Sequence, residues 1–140
     1  MSEPVARLLF VCIENSCRSQ IAEAFARQLG GDHVLAFSAG SKPSGQVNPR
    51  AVAFMRERAI DLTAHRSKGL DELPRGTPWD VIVTMGCGDA CPTLPARRRV
   101  DWDLPDPKNL PDVDFRAVRD RIESLVRALL GDVTSREDAQ

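Results

Sequence analysis

The chain has 140 residues, enough for one domain with its own core and not for two. Its formal net charge is −1, which gives no electrostatic case for nucleic acid or an anionic membrane as partner. The N-terminal stretch MSEPVARLLFVCIEN holds only a short apolar run between Arg7 and Glu14, without the shape of a signal peptide, and no segment approaches a membrane span. A soluble, cytoplasmic, single-domain protein over residues 1–140 is expected.

Leu8 to Cys12 predicts a fully buried strand: short, apolar and without alternation. After a loop, Ile21, Ala22, Ala24, Phe25 and Leu29 fall on one helical face, and Gly30-Gly31 stops that helix. HVLAFSAG (33–40) predicts a second strand ending at glycine, followed by the turn-rich SKPSGQ. Asn48 before Pro49 predicts a cap and first residue of a helix running to about residue 59. Residues 61–76 are polar, with a short helix expected from Ser67. WDVIVTM (79–85) predicts another buried strand, and residues 97–107 a short strand that runs into a loop. Phe115, Val118, Ile122, Leu125, Val126 and Leu129 make an amphipathic helix, capped by Asp112 or Asp114 and ended by Gly131, with residues 132–140 fraying.

Strands alternating with helices predict an α/β fold: an open four-stranded parallel sheet with helices on both faces. Such sheets bind ligands beyond the carboxyl ends of their strands. Cys12 ends the first strand, Cys87 lies just past WDVIVTM, and Asp106 follows the next strand, so all three are expected at one edge.

The loop Cys12-Ile13-Glu14-Asn15-Ser16-Cys17-Arg18 leads from a strand into a helix N-terminus. Backbone N–H groups there form an anion cradle, helped by the helix dipole. Arg18 adds a planar fork suited to a tetrahedral oxyanion. The same positive field favours Cys12 as the thiolate nucleophile. The phosphatase-type oxyanion site is therefore expected from Ile13, Glu14, Asn15, Ser16, Cys17, Arg18 and Ser19. Asn15 and Ser16 are the expected loop braces, and Ser19 the hydroxyl donor to the sulfur.

These residues carry a resemblance. CIENSCRSQIAEAF resembles the phosphate-binding loop of the low-molecular-weight protein tyrosine phosphatase superfamily, and NSCRSQ followed by AE resembles its thioredoxin-coupled arsenate reductase branch. The similarity continues through FSAG (37–40), NPRAV (48–52), IDLTAHRSK (60–68), DVIVTM (80–85), LPDP (104–107) and FRAVRDRIESLV (115–126), almost the whole chain. The resemblance implies Cys12 as nucleophile, Arg18 as its anion partner, and Asp106 before Pro107 as general acid. It also implies a relay in which Cys87 attacks the Cys12 adduct, Cys91 then attacks Cys87, and thioredoxin reduces the resulting Cys87–Cys91 disulfide, with no bound cofactor. Only three residues separate Cys87 from Cys91, closer than in well-known members, so glutaredoxin or a low-molecular-weight thiol stays open as reductant.

Glu14 stands where a glycine or basic residue is common, and would disfavour bulky anions if it faces the mouth. Some relatives bind potassium near the loop. Asn15, Glu23 and Ser38 match three of its ligands, but Lys68 stands at the acidic fourth, so no functional potassium site is expected.

The alternative function is a protein tyrosine or small-molecule phosphatase using the same Cys12. The absence of any Tyr, and Lys108 rather than an aromatic after Asp106-Pro107, argue against a phosphotyrosine specialist. Cys17 is expected to pack, His33 and His65 to lie at the surface, Trp79 and Trp102 to pack at the core edge, and Arg97-Arg98-Arg99 to face solvent.

Overall fold

The first strand, β1 (Ala6–Cys12), is buried on both sides, which is why its sequence shows no polar alternation. It is one of two inner strands of a four-stranded, all-parallel sheet in a computed structural model that describes residues 5–76, 78–86 and 94–138, with side chains through 133. The other strands are β2 (Val34–Gly40), β3 (Trp79–Thr84) and β4 (Ala96–Asp101), in the order β2-β1-β3-β4. Register sets Cys12 opposite Gly40 on one side and Val11 opposite Thr84 on the other. The chain leaves β1 toward β2 and later returns on its other side as β3. The loop after β1 therefore sits at the point where strand order reverses, where ligand crevices form.

Alternate residues of β1 point to opposite faces. Leu8, Phe10 and Cys12 join the larger core, built with Ile21 and Phe25 of α1 (Arg18–Gly30), Phe54 and Met55 of α2 (Pro49–Arg56), and Phe115, Ile122 and Val126 of α3 (Asp112–Asp138). Phe10, fully buried, meets Trp102 at a centroid distance of 5.8 Å. Burial of a side chain this size contributes about 1.5–3 kcal/mol. Leu9 and Val11 face a smaller core with Ile82, Trp79 and Leu73, covered by the 3₁₀ turn at residues 70–72 and its loop. The helices thus cover the two faces unequally: the three α-helices on one side and, among the described residues, the 3₁₀ turn on the other. The short helix expected from Ser67 is only that turn, which Leu73-Pro74 ends.

The Asn48 cap is present: its Oδ1 accepts from Arg50 N at 2.9 Å, and α2 starts at Pro49, ending at Arg56 rather than near 59. Asp112 and Asp114 both lie in the first turn of α3, where their charge suits the helix dipole. That helix does not stop at Gly131; it runs to Asp138, past the point where fraying is expected. Leu129, Leu130 and Val133 are all buried, so the apolar stripe continues beyond the glycine. An isolated helical glycine costs only about 1 kcal/mol relative to alanine, which that burial offsets. On β4, Arg97 pairs with Asp80 at 3.6 Å and Arg98 with Asp132 at 2.5 Å, charges that shield an exposed sheet edge. Among the described residues, no helix is long and apolar enough to cross a membrane.

Candidate active site

Cys12 closes β1, and its Sγ lies 2.8 Å from Ser19 Oγ in the first turn of α1. Asn15 Nδ2 donates to the same Oγ at 2.7 Å and holds the hydroxyl beside the sulfur, where it can donate to a Cys12 thiolate. Asn15 is fully buried and left-handed at φ 53°, a conformation asparagine tolerates better than most residues. Its Oδ1 accepts from Gln20 Nε2 at 2.8 Å and from Lys68 N at 2.9 Å. Every polar atom of this side chain is thus committed to holding the loop.

The loop backbone is pinned along its length. Ile13 O accepts from Lys42 N at 2.8 Å, and Glu14 O from Ser67 Oγ at 2.7 Å and Ser44 N at 3.1 Å. Ser16 O accepts from Asn48 N at 3.0 Å. With these carbonyls turned outward into hydrogen bonds, the N–H groups of the same turn are left to line the interior, as an anion cradle requires. Gly40 lets the loop come so close. A Cβ there would stand 2.5 Å from Ile13 O and 2.9 Å from Asn15 N, both unyielding backbone atoms.

Arg18 is buried at 6% exposure and reaches the far wall, where its guanidinium donates to Leu104 O at 3.0 Å. Its other terminal nitrogen lies 3.9 Å from Asp106 Oδ2. Gly86, just past β3, has φ 77°, and a Cβ there would fall 2.6 Å from Arg18 Nη1. The turn favours glycine at 86, and a Cβ there would press on the far end of the Arg18 side chain. Asp106, half-exposed, caps the 3₁₀ turn at residues 107–109 by accepting from Lys108 N at 3.2 Å. Lys108 in turn meets Glu14 Oε2 at 3.1 Å, and this pairing raises the lysine above its ordinary range.

Cys17 shares the loop but sits in different surroundings. Burial first, then the charges of Asp106 and Cys12, push its thiol up to about 12, so it packs as a protonated side chain. Cys12 and Cys17 are both free thiols. Cys87 and Cys91 lie outside the described residues. The structure thus brings Cys12, Ile13, Glu14, Asn15, Ser16, Cys17, Arg18, Ser19 and Asp106 to one edge of the sheet.

Behind the loop, Glu23 is buried at 2% exposure between two cations, Arg27 at 2.9 Å and Lys68 at 3.5 Å, and accepts from Ser38 Oγ at 2.5 Å. Lys68 Nζ also lies 3.4 Å from Ser38 Oγ. An alkali cation placed among Asn15, Glu23 and Ser38 would face this ammonium, so the donor set does not fit one. Among the described residues, no cluster of three or more His, Cys, Asp or Glu could hold a metal ion.

Two supports were not singled out from the sequence. Gln20 bridges Asn15 to Arg66 O, and its Oε1 faces His65 Nδ1 at 3.1 Å. Because the Gln20 amide nitrogen is occupied as a donor, His65 Nδ1 carries the hydrogen. His65 is therefore not a plain surface residue: it is half-buried, and burial first of all lowers its pKa. His33 is exposed as expected. The available signal for Gly40 was a strand ending on glycine directly across from Cys12.

Known proteins are similar to this chain in sequence and fold. An arsenate reductase 2 from Staphylococcus haemolyticus is 36% identical over 125 residues, covering 86% of this chain and 93% of that protein. A solved structure described as an arsenate reductase in the phosphate binding state superposes with TM-score 0.81 at 33% identity, covering 91% of this chain and 98% of the other. The thioredoxin-dependent arsenate reductase of Corynebacterium glutamicum superposes with TM-score 0.76 at 29% identity, over 96% of this chain and 64% of that one. The family model for low molecular weight phosphotyrosine protein phosphatase matches residues 7–139, nearly the full length, and the chain belongs to that family.

Proposed function

We propose that this protein reduces arsenate to arsenite through a covalent adduct on Cys12 and an internal thiol relay. The supporting geometry is the convergence of the Cys12 sulfur, the pinned loop, the Arg18 guanidinium and Asp106 at one edge of the sheet. The Cys12 thiolate attacks arsenic, an oxygen leaves as water with a proton from Asp106, and Arg18 with the loop N–H groups balances the oxyanion charge. The Cys87 thiolate then attacks the Cys12 sulfur. The sulfur–arsenic bond breaks with its electron pair staying on arsenic, giving arsenite and a Cys12–Cys87 disulfide. Attack by Cys91 on Cys87 returns Cys12 as thiolate and leaves a Cys87–Cys91 disulfide for an external dithiol, thioredoxin in preference to glutaredoxin.

The observation that carries reduction over hydrolysis is the likeness to proteins described as arsenate reductases, one at 36% identity over 86% of this chain. In the sequence Cys87 directly follows Gly86, the residue that lies against Arg18. Phosphotyrosine hydrolysis is less well supported, because the residue after Asp106-Pro107 is a lysine tied to Glu14 instead of an aromatic.

The test is arsenate-dependent NADPH oxidation with thioredoxin and thioredoxin reductase, run beside a glutathione and glutaredoxin mixture. Non-reducing peptide maps of Cys87→Ser and Cys91→Ser accompany it. Cys91→Ser is expected to complete one turnover and accumulate a Cys12–Cys87 disulfide, and Cys87→Ser to release little arsenite. Normal thioredoxin-coupled turnover by Cys91→Ser would remove the third thiol from the scheme.

A further inference from the structure

The ion pair between Glu14 and Lys108 joins the Cys12 loop to the segment that carries Asp106. Glu14 belongs to the nucleophile loop, and Lys108 is two residues past the general acid Asp106. The side chains meet at 3.1 Å and are a little over one-third exposed, at the mouth rather than in the core. Both backbones are fixed. Glu14 O is held by Ser67 and Ser44, while Lys108 O and Pro107 O accept from Arg50 Nη1 at 3.0 and 3.4 Å. Lys108 N also donates to Asp106 Oδ1, so the bridge stands on the side where the leaving oxygen takes its proton.

The chemistry of that side differs between two classes of substrate. From an inorganic oxyanion the departing oxygen leaves as water and needs no further room. From an ester it carries an organic group, which needs room beyond Asp106. We infer that the Glu14–Lys108 bridge is a specificity clasp that admits free tetrahedral oxyanions and disfavours organic phosphate esters at the Cys12 site. The inference rests on the Cys12 oxyanion reading above. An exposed ion pair weighs about fivefold at most in an equilibrium, so the clasp discriminates through the cost of opening combined with the space it fills.

Charge and space can be separated because the partners carry opposite charges. Removing Glu14 strengthens every anion's binding and removing Lys108 weakens it, yet either change opens the clasp. The experiment follows iodoacetamide labelling of Cys12 by peptide mass in the full-length protein. It measures protection by inorganic phosphate and by phenyl phosphate in the wild type, Glu14→Gln, Lys108→Gln and Lys108→Arg. The expected result is that the affinity ratio of phenyl phosphate to phosphate rises roughly 3–10-fold in both Gln variants. Phosphate affinity alone should move in opposite directions in the two, and Lys108→Arg should keep the wild-type ratio. If the two ligands shift together in each variant, leaving the ratio unchanged, only charge acts and the clasp is overturned. If phosphate does not protect Cys12 in the wild type, the oxyanion reading falls and takes the clasp with it.

Discussion

Cys12 and Cys17 lie five residues apart in one loop and are equally buried, each at 3% exposure, yet their surroundings differ. Cys12 ends a strand with its sulfur facing the Ser19 hydroxyl, whose oxygen Asn15 holds in place. Cys17 is the residue before α1, and burial together with the charges of Asp106 and Cys12 raises its thiol to about 12, against weaker pulls from Ser16 and Arg18. Burial alone does not separate a nucleophile from a packing cysteine.

The widest gap between the two is expected on their removal. Cys12→Ser should abolish arsenate-dependent turnover in the coupled assay while leaving the thermal transition near that of the wild type. Next in size is Asp106→Asn, which removes the proton donor. The first step should slow by roughly 10²–10⁴-fold, with phosphate protection of Cys12 nearly intact. The same change withdraws the second-largest influence on Cys17, so alkylation of Cys17 at alkaline pH should become faster. Unchanged turnover would mean that another group donates the proton.

Gly40→Ala tests the frame beneath both cysteines. Its Cβ would collide with the loop backbone at Ile13 O and Asn15 N, forcing a shift where the nucleophile sits. About 1–3 kcal/mol of stability should be lost by denaturant titration, and kcat/KM should fall about 10²-fold for a displacement approaching 1 Å.

The part of this site that is local in sequence was also legible there. An apolar run, a loop of fixed length and a helix start placed Cys12, Asn15, Arg18 and Ser19 together, because strand end and helix N-terminus are set by neighbours along the chain. Asp106 was legible through strand alternation and a resemblance in the proline that follows it. What escaped depends on partners far away in sequence. His65 looked like a surface residue because Gln20, which buries one side of it, is 45 positions distant. The direction of Glu14 was undecided until Lys108, 94 positions on, claimed its carboxylate. Gly131 reads locally as a stop signal, and only the packing of Leu130 and Val133 explains why α3 continues through it.

Cys17→Ala is the smallest effect and sharpens the comparison from the other side. It should leave turnover within about threefold, as for an inert packing thiol, and cost about 1 kcal/mol in stability. Its pH dependence carries a sign. The folded protein holds the Cys17 proton above the ordinary value of 9.0 and up to about 12, so this group's contribution to stability is complete below pH 9. It is lost as pH rises toward 12, because the unfolded chain releases the proton first. The alanine variant should therefore lose stability less steeply than the wild type across that alkaline window.

The most direct test is competitive alkylation resolved by peptide mass in the reduced wild-type protein at neutral pH, with and without inorganic phosphate. The account predicts rapid labelling of Cys12 that phosphate suppresses, beside negligible labelling of Cys17 in either condition. Labelling of Cys17 as fast as Cys12, or labelling of Cys12 that phosphate leaves untouched, would contradict it.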